Sequence, residues 1–318
     1  MRAPDLALVA VLALLAAAFP FLVNAYWLHV MIIAMMFAIM AASWSLLAGH
    51  AGQFSFGHMG FVSVGGYTAG LLAHFLGLPL PLGMLAGVLA AALVGCIIGW
   101  TCLRMSGPYL AIFTMAFSEV LRITIVTEVE VTGGAGGMSV PQLFHARTDL
   151  PYYYLILALL VVSVGGMMLV VASRWGLFFR AIRENEQAAA AAGVKVTRFR
   201  ILAFAIASSL AGLAGTFYAP YIGILTPDIG SQDQMGLVVA MAIVGGMESL
   251  PGAVAGAISV EFLIQALRSY GQWRLVLFGA LLLFTMRFAR NGLLAPAWLR
   301  LRSLAAPRAA ALAKEAVR

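Results

Sequence analysis

Charge is what this sequence has least of. Only 10% of its 318 residues are charged, against 63% hydrophobic, whereas a soluble domain carries about a quarter. That excludes an ordinary soluble globular protein. Apolar runs of the roughly 20 residues needed to cross a bilayer recur instead, and the chain reads as a polytopic membrane protein. Cysteine is nearly absent. Cys96 and Cys102 are the only pair and share no helix face, so neither a disulfide nor a metal site is expected. Catalytic motifs are missing too. There is no HExxH, no GxSxG and no pair of intramembrane aspartates, which excludes the corresponding intramembrane proteases. Ser55 and Ser63 stand in a GxxSxG context without the nucleophile-elbow spacing, and the spacing of His50 and His58 fits no metal site. The TGGAGG run at 132–137 lacks the GK[ST] of a phosphate-binding loop and reads as a flexible external loop. The chain is expected to hydrolyse no ATP itself and to bind no cofactor or metal.

What is present is hydrophobic length, punctuated by glycine and by basic residues. About ten apolar segments, within a range of roughly eight to ten, can be read: 6–23, 28–48, 56–77, 82–103, 107–126, 152–172, 201–222, 236–250, 252–268 and 273–289. The first reads as an uncleaved span rather than a leader. The last pair before 273 is divided only by Pro251. The net charge of +7 would suggest nucleic acid in a soluble chain, but the basic residues concentrate in 174–200 and beyond 287. That is the positive-inside pattern, and nucleic acid is not an expected partner. With 174–200 inside, ten crossings place both termini inside. The acid-bearing loops 127–151 and 223–235 then lie outside. Residues 1–295 form one transmembrane domain, and the basic tail 296–318 lies on the anionic inner leaflet.

Ten spans divide into two halves of five whose corresponding helices run in opposite directions, the arrangement of an inverted repeat. The third segment of each half is rich in glycine: GHAGQFSFGHMGFVSVGGYTAG at 49–70 and GLVVAMAIVGGMESLPGAVAG at 236–256. Such pairing points to a midplane pathway, although small residues also serve close helix packing. Polar residues inside spans are costly and tend to face a path. Gln53, Ser55, His58, Ser63, Tyr67 and Glu248 are therefore candidates, with Glu261 and Gln265 beside them. Glu119 and Arg122, three apart, are expected to neutralise each other. Tyr218 and Tyr221 read as an interfacial aromatic belt.

The stretch 174–200 could not sit in lipid. Within it, Glu186–Ala192 is an alanine-rich helix former with Asn185 at the N-cap and Gly193 at the C′ position. Its alanine face offers little to insert into headgroups and suits a protein cleft, so it reads as a docking helix for a cytoplasmic partner. An ion-coupled carrier acting alone, titrating at Glu119, Glu248 or Glu261, stays open on these residues.

The segments GHAGQFSFGHMGFVSVGGYTA, RMSGPYLAIFTMAFSEVLR, TGGAGGMS, RAIRENEQAAAAAGVKVTRFR, AGLAGTFYA and GGMESLPGAVAGA occur together and in order. Over about residues 25–295 they closely resemble the permease subunits of branched-chain amino acid ABC transporters, of the type paired with a second homologous permease. The resemblance implies that Arg183, Glu184, Asn185, Glu186, Ala189 and Gly193 engage the ATPase. It implies two cytoplasmic ATPase subunits that use the ATP, a homologous permease partner, an extracytoplasmic solute-binding protein and a bacterial cytoplasmic (inner) membrane. Related permeases carry urea or short amides as well as aliphatic amino acids. Two departures from the family pattern stand out. GGAGG lacks the usual Pro-Asn of the external loop, and MRFARNGLL replaces a Phe-Arg-Pro-Arg-Gly run.

Overall fold

A computed structural model describes residues 16–105, 107–144 and 148–271, with isolated positions between 276 and 292. Most of segments 6–23 and 273–289, and the tail from 296, lie outside them. The described chain is helical apart from a two-residue antiparallel ladder, β1 (Met138–Ser139) with β2 (Ile224–Leu225). Among the described residues, six helices are long and apolar enough to cross a membrane. They are α1 (Ala25–Trp44, continued to His50 by a π-helical turn), α2 (His58–Leu76), α3 (Leu80–Thr101), α4 (Pro108–Thr127), α5 (Leu150–Ala172) and α8 (Val196–Ile222). Between α5 and α8 lie two short polar helices, α6 (Arg174–Glu184) and α7 (Glu186–Ala191). After α8 come α9 (Gln232–Gly245) and α10 (Leu250–Ala266).

The two short apolar segments near 250 do not form two straight, independent spans. Helices α9 and α10 form a pair bent by 120°. The break falls at Gly246–Ser249 rather than at Pro251. Gly246, at φ 114°, ends α9, Ser249 caps α10 through the Gly252 amide, and Pro251 sits in the first turn of α10. Proline has no amide hydrogen to lose there, so it starts a helix instead of ending one.

Helix α1 is the axis of the bundle: 94% of its spanning window is enclosed by other elements, against 22% for α4 and 28% for α5. It is apolar all round, as a helix with no exposed face must be. Helix α10 packs along it in the opposite direction. The Tyr26 hydroxyl donates to Gln265 Oε1 at one end, and the Ser45 hydroxyl donates to the Met247 carbonyl at the other. On the far side α2, α3 and α8 meet through glycine. A Cβ on Gly87 would lie 2.5 Å from the Gly65 carbonyl oxygen, and one on Gly215 would overlap the Val62 carbonyl. Small residues here let backbones approach where lipid supplies no hydrophobic drive between helices.

The glycine run at 132–137 is ordered. Thr132 Oγ1 donates to Ile125 and Glu128 carbonyls and accepts from the Gly134 amide. Gly137, at φ 72°, leads into β1 against the Leu225 backbone. It is a built turn rather than a loose loop.

Candidate functional site

Three features of the bundle bear on function, and each begins with a local break in helix. The first is where α1 ends. Its last turn, Ser45–His50, widens to π-helix, a geometry that recurs at functional sites. The chain then runs non-helically through Ala51–Gly57 while largely buried. Its polar groups are paired. The Trp44 indole donates to the Ser55 carbonyl at 2.7 Å, the Phe56 amide to Thr114 Oγ1 at 2.9 Å, and the Gly57 amide to Ser55 Oγ at 3.2 Å. Because Ser55 lies against Trp44, the segment doubles back along α1.

Of the sequence-predicted path residues, this fold-back brings together Gln53, Ser55 and His58, all buried. His58 meets the Phe61 ring edge-on at 6.1 Å. Ser63 and Tyr67 are buried further along α2, with the Tyr67 hydroxyl donating to the Leu225 carbonyl at 3.3 Å. Glu248 is apart from them, two-thirds exposed in the α9–α10 turn. The six do not converge on a single space.

The second feature is a cavity of 380 Å³ that none of those six lines. It opens among the first half of α1, the start of α2, the end of α8 and the α9–α10 pair. Met36, Met40 and Met59 form its apolar part, with His29, Asp228 and Glu261 as charged or titratable lining groups. The His29 ring shares a hydrogen bond with the Tyr221 hydroxyl, and Gln265 Nε2 donates to Glu261 Oε1 at 3.0 Å. Tyr221 is thus buried and Tyr218 lines the cavity. They form part of the protein interior, not a lipid-facing belt, because α1 and the segment after α8 cover them. His29, Met36, Met40 and Met59 were missed by sequence reasoning. The signal available was a histidine interrupting an apolar run.

The Glu119–Arg122 pair is intact, with Nε of Arg122 3.0 Å from Glu119 Oε2. It ties one turn of α4 to the next rather than one helix to another, and it borders a shallow groove with Ser231, Gln232 and Asp233.

The third feature is the hairpin of α6 and α7, at the end of the bundle opposite the cavity. Asn185 Oδ1 accepts from the Ala188 amide at 2.9 Å, capping α7, and Gly193 takes φ 85° after its end. Both caps lie where the sequence places them. Ala189 is buried, and α6 buries Gly176, Phe179 and Ile182, leaves Phe178 and Arg183 partly covered and exposes the rest. Two arginines fasten the hairpin. Arg200, almost wholly buried, donates to the Leu103 and Met105 carbonyls at 3.1 and 2.7 Å and pairs with Glu186 at 3.2 Å. Arg183 donates to the Gly49 carbonyl and pairs with Glu184 at 2.8 Å and Glu248 at 3.0 Å. Its stem lies across Gly52, whose φ of 70° and lack of a side chain leave the room.

These contacts rank the residues. Arg200→Ala is expected to cost about 2 kcal/mol by removing charge-assisted bonds to two carbonyls and a carboxylate. Glu186→Ala should cost under about 1 kcal/mol, because that carboxylate is half exposed. Thermal unfolding midpoints of the detergent-purified variants measure both.

Comparison with known proteins places this architecture. The family described as branched-chain amino acid transport system / permease component matches residues 26–286. The chain is 31% identical over 315 residues to the high-affinity branched-chain amino acid transport system permease protein LivM of Escherichia coli K12, covering 89% of this chain and 73% of that one. It is 23% identical to LivH of the same organism, over 70% of this chain and 78% of that one. It is also 26% identical to the autoinducer 2 import system permease protein LsrC of Salmonella paratyphi B, over 71% and 69%. No solved structure matches the chain. The bent bundle, its polar hairpin and its cavity are therefore those of a multi-pass membrane protein that belongs to the branched-chain amino acid transport permease family.

Proposed function

We propose that this chain is a non-catalytic half of the membrane pathway of an ABC importer for branched-chain or related small aliphatic amino acids. Two ATPase subunits grip the α6–α7 hairpin from the cytoplasm. A homologous permease completes the bundle, and a solute-binding protein delivers substrate from outside, at the cytoplasmic membrane of a bacterium. The observation that carries the reading is the clasp at Arg183. One guanidinium joins the hairpin to the end of α1 and to the turn between α9 and α10. Motion imposed on the hairpin is thereby passed to both breaks in the bundle, as a permease worked from outside itself requires. The capped, alanine-faced α7 supports the same reading, since a small-residue surface fits a cleft.

The bundle is proposed to cross ten times as two inverted halves. In support, α10 runs beside α1 from Gln265 at Tyr26 to the turn at Ser45, so it reaches both ends of a helix that itself spans. The remaining crossings fall to segments 6–23 and 273–289. Gln53, Ser55 and His58 are then wall residues that shape the α1–α2 break. The wide cavity beyond them receives solute.

The test uses the complete transporter in proteoliposomes. Glu186→Lys sets a cation against Arg200, and Gly193→Val places a β-branched residue at positive φ. Both variants are expected to insert and co-purify with the sister permease and the ATPases, and to hydrolyse ATP without accumulating leucine. Normal coupled uptake in both variants overturns the reading. So does solute uptake by the single chain on an ion gradient.

A further inference from the structure

The cavity between α1 and α10 holds a carboxylate that no lysine or arginine among the described residues pairs with, the His29 ring being its titratable neighbour. Glu261 is only 5% exposed. Its one hydrogen bond is from Gln265, which is itself held by the Tyr26 hydroxyl. Among the described residues no lysine or arginine pairs with it. An acidic side chain enclosed within a membrane bundle is expensive unless something compensates it. The Glu119–Arg122 pair shows the self-contained alternative that this chain uses elsewhere. Here only Gln265 and the His29 ring attend the carboxylate, while a small-molecule space lies open beside it. At 380 Å³, that space falls within the range of about 300–1,000 Å³ usual for such pockets.

We infer that Glu261 is the ammonium-binding residue of this cavity, so the site selects small apolar solutes bearing a protonated amine. The chemistry of the lining divides accordingly. Gln265 occupies one carboxylate oxygen and fixes the rotamer, which leaves the second free to accept from an ammonium group. Met36, Met40 and Met59 offer an unbranched, adaptable apolar surface that can repack around side chains of different branching. His29 is the remaining donor. In the tautomer whose Nδ1 accepts from the Tyr221 hydroxyl, the ring carries Nε2–H, suited to the carboxylate of a zwitterion. Asp228 lies exposed on the lining and adds to the negative field that draws a cationic group in. Among the described residues no lysine or arginine lines the cavity, so the lining favours a solute with a cationic group over one that carries only an anionic group. The inference rests on the proposed solute pathway and goes beyond it by naming the group that is recognised and the residue that recognises it.

The test reads occupancy of the cavity directly, in the complete transporter. Leu237 lines the cavity, and Leu237→Cys places a thiol there for maleimide labelling. Cys96 is replaced by alanine. Cys102 can stay, because it is buried and burial pushes its thiol up to about 11. Three probes are compared: leucine, isocaproate (no amine) and isoamylamine (no carboxylate). Leucine and isoamylamine are expected to slow labelling, and isocaproate is not. Glu261→Gln should raise the half-protecting leucine concentration about tenfold or more, the weight of one charge-assisted hydrogen bond. Protection by none of the three overturns the placement of the pathway in this cavity. Protection by isocaproate equal to leucine, or leucine protection unchanged in Glu261→Gln, overturns the ammonium assignment alone. If Glu261→Gln fails to assemble, the order of the three probes on the parent chain decides.

Discussion

Gly215→Val is expected to leave almost no folded permease in the membrane. Helix α8 passes α2 so closely at this point that even a Cβ on Gly215 would overlap the Val62 carbonyl oxygen, with the Gly66 amide 3.1 Å away. Those are backbone atoms in the middle of another helix, and they cannot rotate aside as a side chain can. One turn earlier, a Cβ on Gly65 would run into the Gly212 backbone and one on Gly212 into Ala91 of α3, and Gly87 of α3 closes onto Gly65 from the other side. Accommodating the valine therefore means separating three helices along their length. Ordinary overpacking costs about 1–3 kcal/mol where side chains can yield, and this site exceeds that because they cannot. Extracted yield and elution as a single species measure the outcome. Gly165→Ala is the control. Nothing lies within 4 Å of a Cβ there, inside α5, so alanine should be neutral or favourable by up to about 1 kcal/mol. Similar behaviour of the two variants would refute the close-packing account.

The residues also show which parts of this molecule can be read from sequence. The six long spans appear as apolar windows, because crossing a bilayer demands length and hydrophobicity whatever the neighbours do. The caps of α7 are legible for a similar reason. Asn185 and Gly193 answer local backbone requirements that no distant contact need satisfy. The break between α9 and α10 was misplaced because Pro251 is the more conspicuous residue, whereas Gly246 turns the chain and proline merely begins the next helix. Tyr218 and Tyr221 differ from the sequence expectation because an aromatic at a span's end has the same local signature in lipid and in a core. Only the fold tells that α1 brings His29 to Tyr221. The least legible element is the clasp. Arg183 and Gly49 stand 134 positions apart, and the acceptor is a main-chain carbonyl, which leaves no trace in residue identity.

That clasp yields the sharpest functional expectation. Arg183→Gln should reduce leucine moved per ATP hydrolysed by about tenfold or more, with the ATPases still bound and turning over. The argument is mechanical. Arg200 anchors the hairpin to the end of α3, so the hairpin survives the change in place, but the link to Gly49 and Glu248 is cut. The contacts are not equal in weight. Glu184 and Glu248 are 71% and 67% exposed, and exposed pairs contribute little, typically under about 1 kcal/mol. The bond to the Gly49 carbonyl is the better shielded. Glu248→Gln alone should therefore lower coupling only modestly. The double variant should be no worse than Arg183→Gln, since the cycle of two residues sharing one contact is not additive. Proteoliposomes holding the complete transporter, scored for uptake and phosphate release together, separate this from simpler failures. If both rates fall in proportion, Arg183 serves ATPase docking, not transmission. If neither falls, the hairpin moves the bundle by another route, through Arg200 at the end of α3 or through Phe178 and Phe179 packed on Phe199 of α8.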